Sequence, residues 1–409
     1  MKLKTVAVAV SVLLGFSMTS SAKTNLDEYI SASIDGNFKI SSLEAAYDVE
    51  RLRSEQEEKY YLPSLKIDHT TKTHMEDNPV GIKPWDSRSH ESNVNLRSTI
   101  WRDNHASSQK MFDSKADAAN MNVEIEKSNI RAQITTAVYN IFLYENLINE
   151  GEIILKRAKQ IDADIKDKVQ GGLAKASDAT TAEVLITDME NAILATKLKI
   201  KQLRLNLEQV SGIPYPDDMG MDLSSVRALL SKVPNTSVEQ NKSLLKKSLE
   251  TDSKNHAIKS SDNWMTVDVF AKTKAEDLTF NRSETQVGIM VTMDLFNPSS
   301  YWKEKSTTAQ YNSERFMLDQ MQKDLSLSLQ SQLSILDSNK SLLESQNDSI
   351  KIKRELIKER QDEYQINVTS LYELIQAWNG YYLAIQQKTD TEATLINTLL
   401  SIDVLTGDI

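Results

Sequence analysis

Five histidines, His69, His74, His90, His105 and His256, are the imidazoles this 409-residue chain offers for proton transfer or metal ligation. None lies three or four residues from another on one helix face, and no zincin-type motif occurs. His69, His74 and His90 share one polar stretch and read as scattered exposed side chains. With no cysteine in the chain, disulfides, thiolate catalysis, Cys-based metal sites and lipidation on Cys are excluded. There is no glycine-rich phosphate loop and no nucleophile elbow. The abundant carboxylates sit where solvated helix flanks are expected. These residue types define no enzyme, no cofactor site and no metal site, which leaves the chemistry of surfaces: apolar stripes, alternating faces and tight turns.

The elements carrying such surfaces must be long. Gly is 11 and Pro 7 of 409 residues, well below ordinary usage of about 7% and 5%, so turns are few. Lys+Arg number 48 against 58 Asp+Glu, a net charge of −10 that argues against a nucleic-acid partner. Lys2 and Lys4 precede an apolar run from Val6 to Phe16, followed by small residues through Ser20 and Ala22. This pattern predicts a signal peptide over 1–22, cleaved after Ala22. An 11-residue apolar run is too short to span a bilayer, which takes about 20. No later stretch does better, so an exported chain of this kind enters a membrane as β-strands, in the outer membrane of a bacterium.

One pattern is written twice: helix, two alternating strands, a very long helix, a tip, and a returning helix. The first copy, 23–212, ends Val210-Ser211-Gly212; the second, 236–409, ends Leu405-Thr406-Gly407, offset by 195. The residues 213–235 read as a linker, opened by Ile213-Pro214-Tyr215-Pro216 and closed by Pro234-Asn235. The same offset pairs Trp101 with Phe296. Leu329, Leu336, Leu343, Ile350, Ile357 and Tyr364 stand seven apart, a coiled-coil seam that Asp162 interrupts in the first copy. The long helices are predicted at 104–170 and 299–365, about 100 Å each at ~1.5 Å per residue. Returning helices carry Ile186, Met189, Ile193 and Ile200 in one copy and Leu371, Leu374, Trp378 and Tyr381 in the other.

The strands alternate with period 2. Val287, Ile289, Val291, Met293 and Leu295 form the clearest set; Met265, Val267, Val269 and Ala271, then Val94, Leu96 and Ile100, then Leu65 and Ile67 are the others. Each is expected to run about 10 residues, suiting a tilted membrane strand with one lipid face and one wet face. Polar loops near 76–90 and 275–284 are placed outside the cell. Tyr60, Tyr61, Trp101, Trp264, Phe296, Tyr301 and Trp302 gather at the helix-side ends as an interfacial belt. Asn297-Pro298 predicts an N-cap and N1 pair launching the second long helix. Two hairpins are too few for a barrel, and open edges do not survive in lipid. The barrel must therefore be shared between copies.

This order resembles the TolC-like outer-membrane efflux proteins across essentially the whole mature chain. The local marks are Ser42-Leu43-Glu44-Ala45-Ala46, Tyr61-Leu62-Pro63-Ser64-Leu65, and the tip Gly172-Leu173-Ala174-Lys175-Ala176-Ser177-Asp178 followed by Ala182. The resemblance implies an α plus transmembrane-β fold: a two-repeat, long-helix coiled-coil barrel whose two hairpins join a trimeric 12-stranded β-barrel. It implies a homotrimer in outer-membrane lipid, docked by a periplasmic adaptor and powered by an inner-membrane pump of RND or ABC type, for solute efflux or type I protein secretion. Its gate residues fall on Asp178, Tyr364, Thr369, Glu373 and Gln376. Thr369 replaces the family's arginine and Gln376 one of its two acids, so the arginine link is expected to be lost, and Asp178 with Tyr364 is the pairing left to test. The exposed turns Gly171, Gly172, Leu173 and Ala174 with Asn367, Val368 and Thr369 are expected to dock the adaptor. The alternative is a structural periplasmic coiled-coil spacer or adaptor without a pore.

Overall fold

The computed structural model describes residues 25–73, 88–216, 219–275, 283–366 and 369–409. The expected leader, most of the two outer loops, Asp217-Asp218 of the linker, His74, and the tip residues Asn367 and Val368 lie outside the described residues. Two short helices, α1 (Leu26–Asp35) and α2 (Phe38–Glu58), precede the strands β1 (Ser64–Thr73) and β2 (Arg88–Arg102). Then come α3 (His105–Gln170) and α4 (Ala176–Ser211). After α5 (Leu223–Leu230), the order resumes with α6 (Lys242–Ser260), β3 (Met265–Ala275), β4 (Ser283–Met293), α7 (Pro298–Gln365) and α8 (Leu371–Thr406).

The long helices end where their sequences stop them. Asn297 caps α7 by accepting from the Ser299 amide, with Pro298 at the first turn. Gly212 and Gly407 close α4 and α8 in the left-handed region, at φ 72° and 80°. A side chain at Gly407 would strike the Gln240 carbonyl, so both conformation and space require glycine there.

The four strands form one antiparallel sheet in the order β1-β2-β3-β4, leaving β1 and β4 as edges. β2 runs 15 residues instead of about 10, because its pairing with β1 begins at Arg88. A bulge leaves Ile100 without a partner between the pairs Thr99–Asp268 and Trp101–Val267. One extra residue shifts the period-2 phase, so Trp101 joins the row of Val267 and Val291 on the apolar face. Leu295 lies past the end of β4, correcting its assignment to the strand, and Phe296 follows it toward α7. The Asp294 amide makes one last bond to the Trp264 carbonyl, and the chain then turns into Asn297-Pro298, where proline has no amide to donate.

The helical core follows the seam. Ile134, Ile141, Ile186, Met189 and Ile193 are buried with Ile357, Leu374, Trp378 and Tyr381 in one continuous cluster. Leu329 and Leu336 pack with Leu395, Leu399 and Ile402, and Tyr364 packs at the tip against Ile165, Leu371 and Ile375. Gly151, midway along α3, lies against the fully buried Tyr382 ring; a Cβ there would come within 2.7 Å of Tyr382 Cε2. The two helix pairs also share polar ties. Tyr144 donates to Asp390 at 2.8 Å, while Lys199 donates to Tyr144 at 2.5 Å and to Asp390 at 3.1 Å, joining α3, α4 and α8.

Candidate functional site: an open-edged sheet and two helical tips

The sheet has one apolar face, and none of the described residues covers it. Leu65, Leu96, Ala271 and Val287 form one cross-strand row, and Val269 pairs Ile289 in the next. Val287 is 75% exposed and Ile289 69%, against the near-zero exposure of the helical core. A face of that size in water is an unmet apolar surface; in hydrocarbon it is matched. The opposite face is polar, carrying Lys66, Asp68, Asn95, Arg97, Lys272 and Gln286. Its Asp268 is fully buried, accepting from Arg97 at 2.5 Å and from Thr99 at 2.6 Å. The helix-side aromatics Tyr61, Trp101, Trp264, Phe296, Tyr301 and Trp302 are exposed. Tyr60 is half-buried, stacked on His105 at 4.3 Å beneath the Arg102 guanidinium.

Beneath the sheet the helices make an open wall. α2 and α4 pack on α3, α3 packs on α6 and α8, and α7 packs on α6 and α8. One side of the wall ends in β1, α2 and α4, and the other in α7 and β4. Both sides carry exposed apolar residues: Leu194, Leu198 and Leu205 on α4, and Phe316, Leu342 and Ile352 on α7.

At the far end, the first tip is a Schellman turn. Gly172 at φ 70° bonds to the Val169 carbonyl at 3.1 Å and Leu173 to Lys168 at 2.8 Å. Gly171 and Gly172 are exposed, Ala174 is half-buried, and Leu173 is 82% exposed. The C3 position, where a hydrophobe at C″ usually finds its apolar partner, is here Lys168, five residues back, which is engaged elsewhere. Asp178 sits in the first turn of α4, where the helix dipole favours an acid, and accepts from Ser177 at 3.4 Å. Tyr364 instead accepts from Lys168 at 2.5 Å, so Asp178 and Tyr364 are not joined within the chain.

The second tip departs from expectation in one respect. Arg360, nine residues before Thr369, reaches Glu373 at 3.1 Å, Glu363 at 2.8 Å and Thr369 at 3.4 Å. Thr369 donates to Glu373 at 2.5 Å, and Ser370 caps α8 by accepting from the Glu373 amide at 3.3 Å. An arginine link therefore exists within this chain, but it comes from α7, whereas the loop position holds threonine. Gln376 is exposed. Sequence reasoning missed Arg360 because it looked for a guanidinium at the loop position; the signal available was a basic residue in the last turns of α7 facing Ser370-Leu371-Tyr372-Glu373, a capping-box pattern. Among the described residues no group of three His, Asp or Glu side chains is placed to hold a metal ion. Among the described residues no helix is long and apolar enough to cross a membrane.

This architecture, long paired helices hung from a four-stranded sheet in two matching halves, is the TolC-like channel fold. Three solved structures show how closely. The chain superposes on CusC, a protein described as forming a transmembrane channel, with a TM-score of 0.80 at 12% identity, covering 96% of this chain and 95% of that one. On the CmeC outer-membrane channel of Campylobacter jejuni the TM-score is 0.73 at 12% identity, covering 95% and 89%. On the MtrE outer-membrane channel of Neisseria gonorrhoeae it is 0.76 at 13% identity, covering 93% and 88%. No protein-family model and no curated protein matches the sequence.

Proposed function

We propose that this protein is an outer-membrane channel-tunnel, a passive exit duct through the periplasm and outer membrane that serves an inner-membrane pump through a periplasmic adaptor. The observation that carries this reading is the pair of open edges on the same two sides of sheet and helices. β4 with α7 on one side and β1 with α2 and α4 on the other are different surfaces, so copies join head to tail and close a ring. Three copies bring 12 strands, enough for a barrel with no edge left in lipid, and the uncovered apolar face turns outward. The halves 23–212 and 236–409, joined by 213–235, act as two repeats in each copy, after export and removal of residues 1–22.

At the closed end, Glu373 held by Arg360 and Thr369, with Asp178, Tyr364 and Gln376 nearby, forms the constriction. The exposed turn Gly171-Gly172-Leu173-Ala174 is the adaptor surface, together with Asn367, Val368 and Thr369. The pump class and the choice between small toxic solutes and a secreted protein are properties of the partners. Heat-modifiable trimers in outer membranes and steady conductance in planar bilayers are the expected results. A detergent-free monomer released by osmotic shock would overturn the reading in favour of a periplasmic spacer. A photo-crosslinker at Leu173 should capture the adaptor, whereas adducts only from control positions on the helix shafts would remove the docking assignment.

A further inference from the structure

We propose that the lumen of the barrel prefers anions, so that small anionic solutes are the cargo class this duct passes most readily. The inference rests on the channel reading above and on how charge is distributed between the two sheet faces. The apolar face meets lipid, so the polar face lines the passage. Leaving aside Arg102, bonded to Glu57 at the helix-side end, that face carries five cations against four carboxylates in the described strands. This positive lining belongs to a chain whose net charge is −10.

The carboxylates are each engaged. Asp268 is buried under Arg97 and Thr99, Glu91 lies 3.6 Å from Lys274, Asp68 lies 3.2 Å from Lys66, and Glu284 accepts from the Gln286 amide at 3.1 Å. Lys272 is exposed and has no ion-pair or hydrogen-bond partner among the described residues. It stands in the cross-strand row Lys66–Asn95–Lys272–Gln286, which holds two ammonium groups, two amides and no acid. Three copies make this row a belt of six lysines around the passage. At the other end, the acid that would favour cations is already met: Glu373 is 3.1 Å from Arg360, and Gln376 is neutral. The barrel lumen thus carries a positive belt, and at the tip the acid set against it is Asp178, which accepts from Ser177 at 3.4 Å.

Three unpartnered ammonium groups acting over about one Debye length, ~10 Å in 0.1 M salt, shift the anion-to-cation permeability ratio by roughly fivefold. The test is the reversal potential of the purified trimer in neutral-lipid planar bilayers across a KCl gradient. The intact protein should pass chloride over potassium. Lys272→Gln should lower the chloride-to-potassium ratio by roughly fivefold, and Lys272→Glu should turn the channel cation-preferring. Trimer assembly on unboiled gels confirms that each variant is folded. A conducting trimer that prefers potassium, or one whose ratio ignores both substitutions, overturns the lumen assignment and leaves the channel standing. Preparations that assemble but never conduct overturn the channel reading and this one with it.

Discussion

Asn37 and Asn241 do the same work in the two halves, and neither stands out in the sequence. Asn37 caps α2 and donates to the Val210 carbonyl at 3.3 Å near the end of α4. Asn241 caps α6 by accepting from the Leu244 amide at 2.9 Å and donates to Leu405 at 3.0 Å near the end of α8. One side chain thus satisfies orphan groups of two helix termini at once. Asn241→Ala should cost about 2 kcal/mol, seen as a lower denaturation midpoint, because a cap and a carbonyl partner go together. Glu392 poses the opposite problem. Burial in the helical bundle raises its pKa, and Lys388, 3.5 Å away, only partly offsets this. A carboxyl with a raised folded pKa contributes most below its unfolded value and loses that contribution as pH rises through the folded one. Glu392→Gln is therefore expected to raise the melting temperature at neutral pH. The gain should vanish toward about pH 4, where the native carboxyl is protonated as well. A gain that persists unchanged in acid would show that charge is not the cause.

Elements carry their meaning in faces. The strand period was legible, and it puts Leu65, Ile67, Val287, Ile289 and Val291 on one side, as the sheet register does. A charge at Ile289 should cost about 2–4 kcal/mol of membrane insertion, and trimer yield should fall accordingly. Its polar-face neighbour Gln286 should tolerate the same change. The phase of Trp101 was not legible, because a bulge is set by how two strands share their bonds and leaves no mark in alternation. The seam of α7 was plain from its seven-residue spacing, yet its partner surfaces were not. Gly151 illustrates why: a glycine inside a strong helical pattern looks like a weak point until Tyr382 is seen against it. Gly151→Val should displace that ring and destabilise the bundle by about 1–3 kcal/mol, with the midpoint rescued in part by Tyr382→Leu.

At the scale of the whole molecule, the absence of cysteine makes assembly directly testable. Ile67→Cys on β1, combined with single cysteines scanned along β4, should give a covalent ladder ending at three copies under mild oxidation. A ladder that stops at dimers or runs on without limit would contradict a closed threefold ring. Arg360→Gln should free Glu373 and raise the open probability at the tip, measured as single-channel conductance. Unchanged traces would mean that the Arg360–Glu373 ion pair is a solvated surface contact.

The sequence by itself determined the long helices, the period of the strands and the two-fold recurrence of both, because hydrophobic spacing is local and repeats in register. Only the tertiary structure decided that Arg360 meets Glu373 across the tip, that Lys168 takes Tyr364, and which edges stay open. Those outcomes depend on which residues distant in sequence the packed helices bring within a few ångströms of each other, and no local pattern encodes that distance.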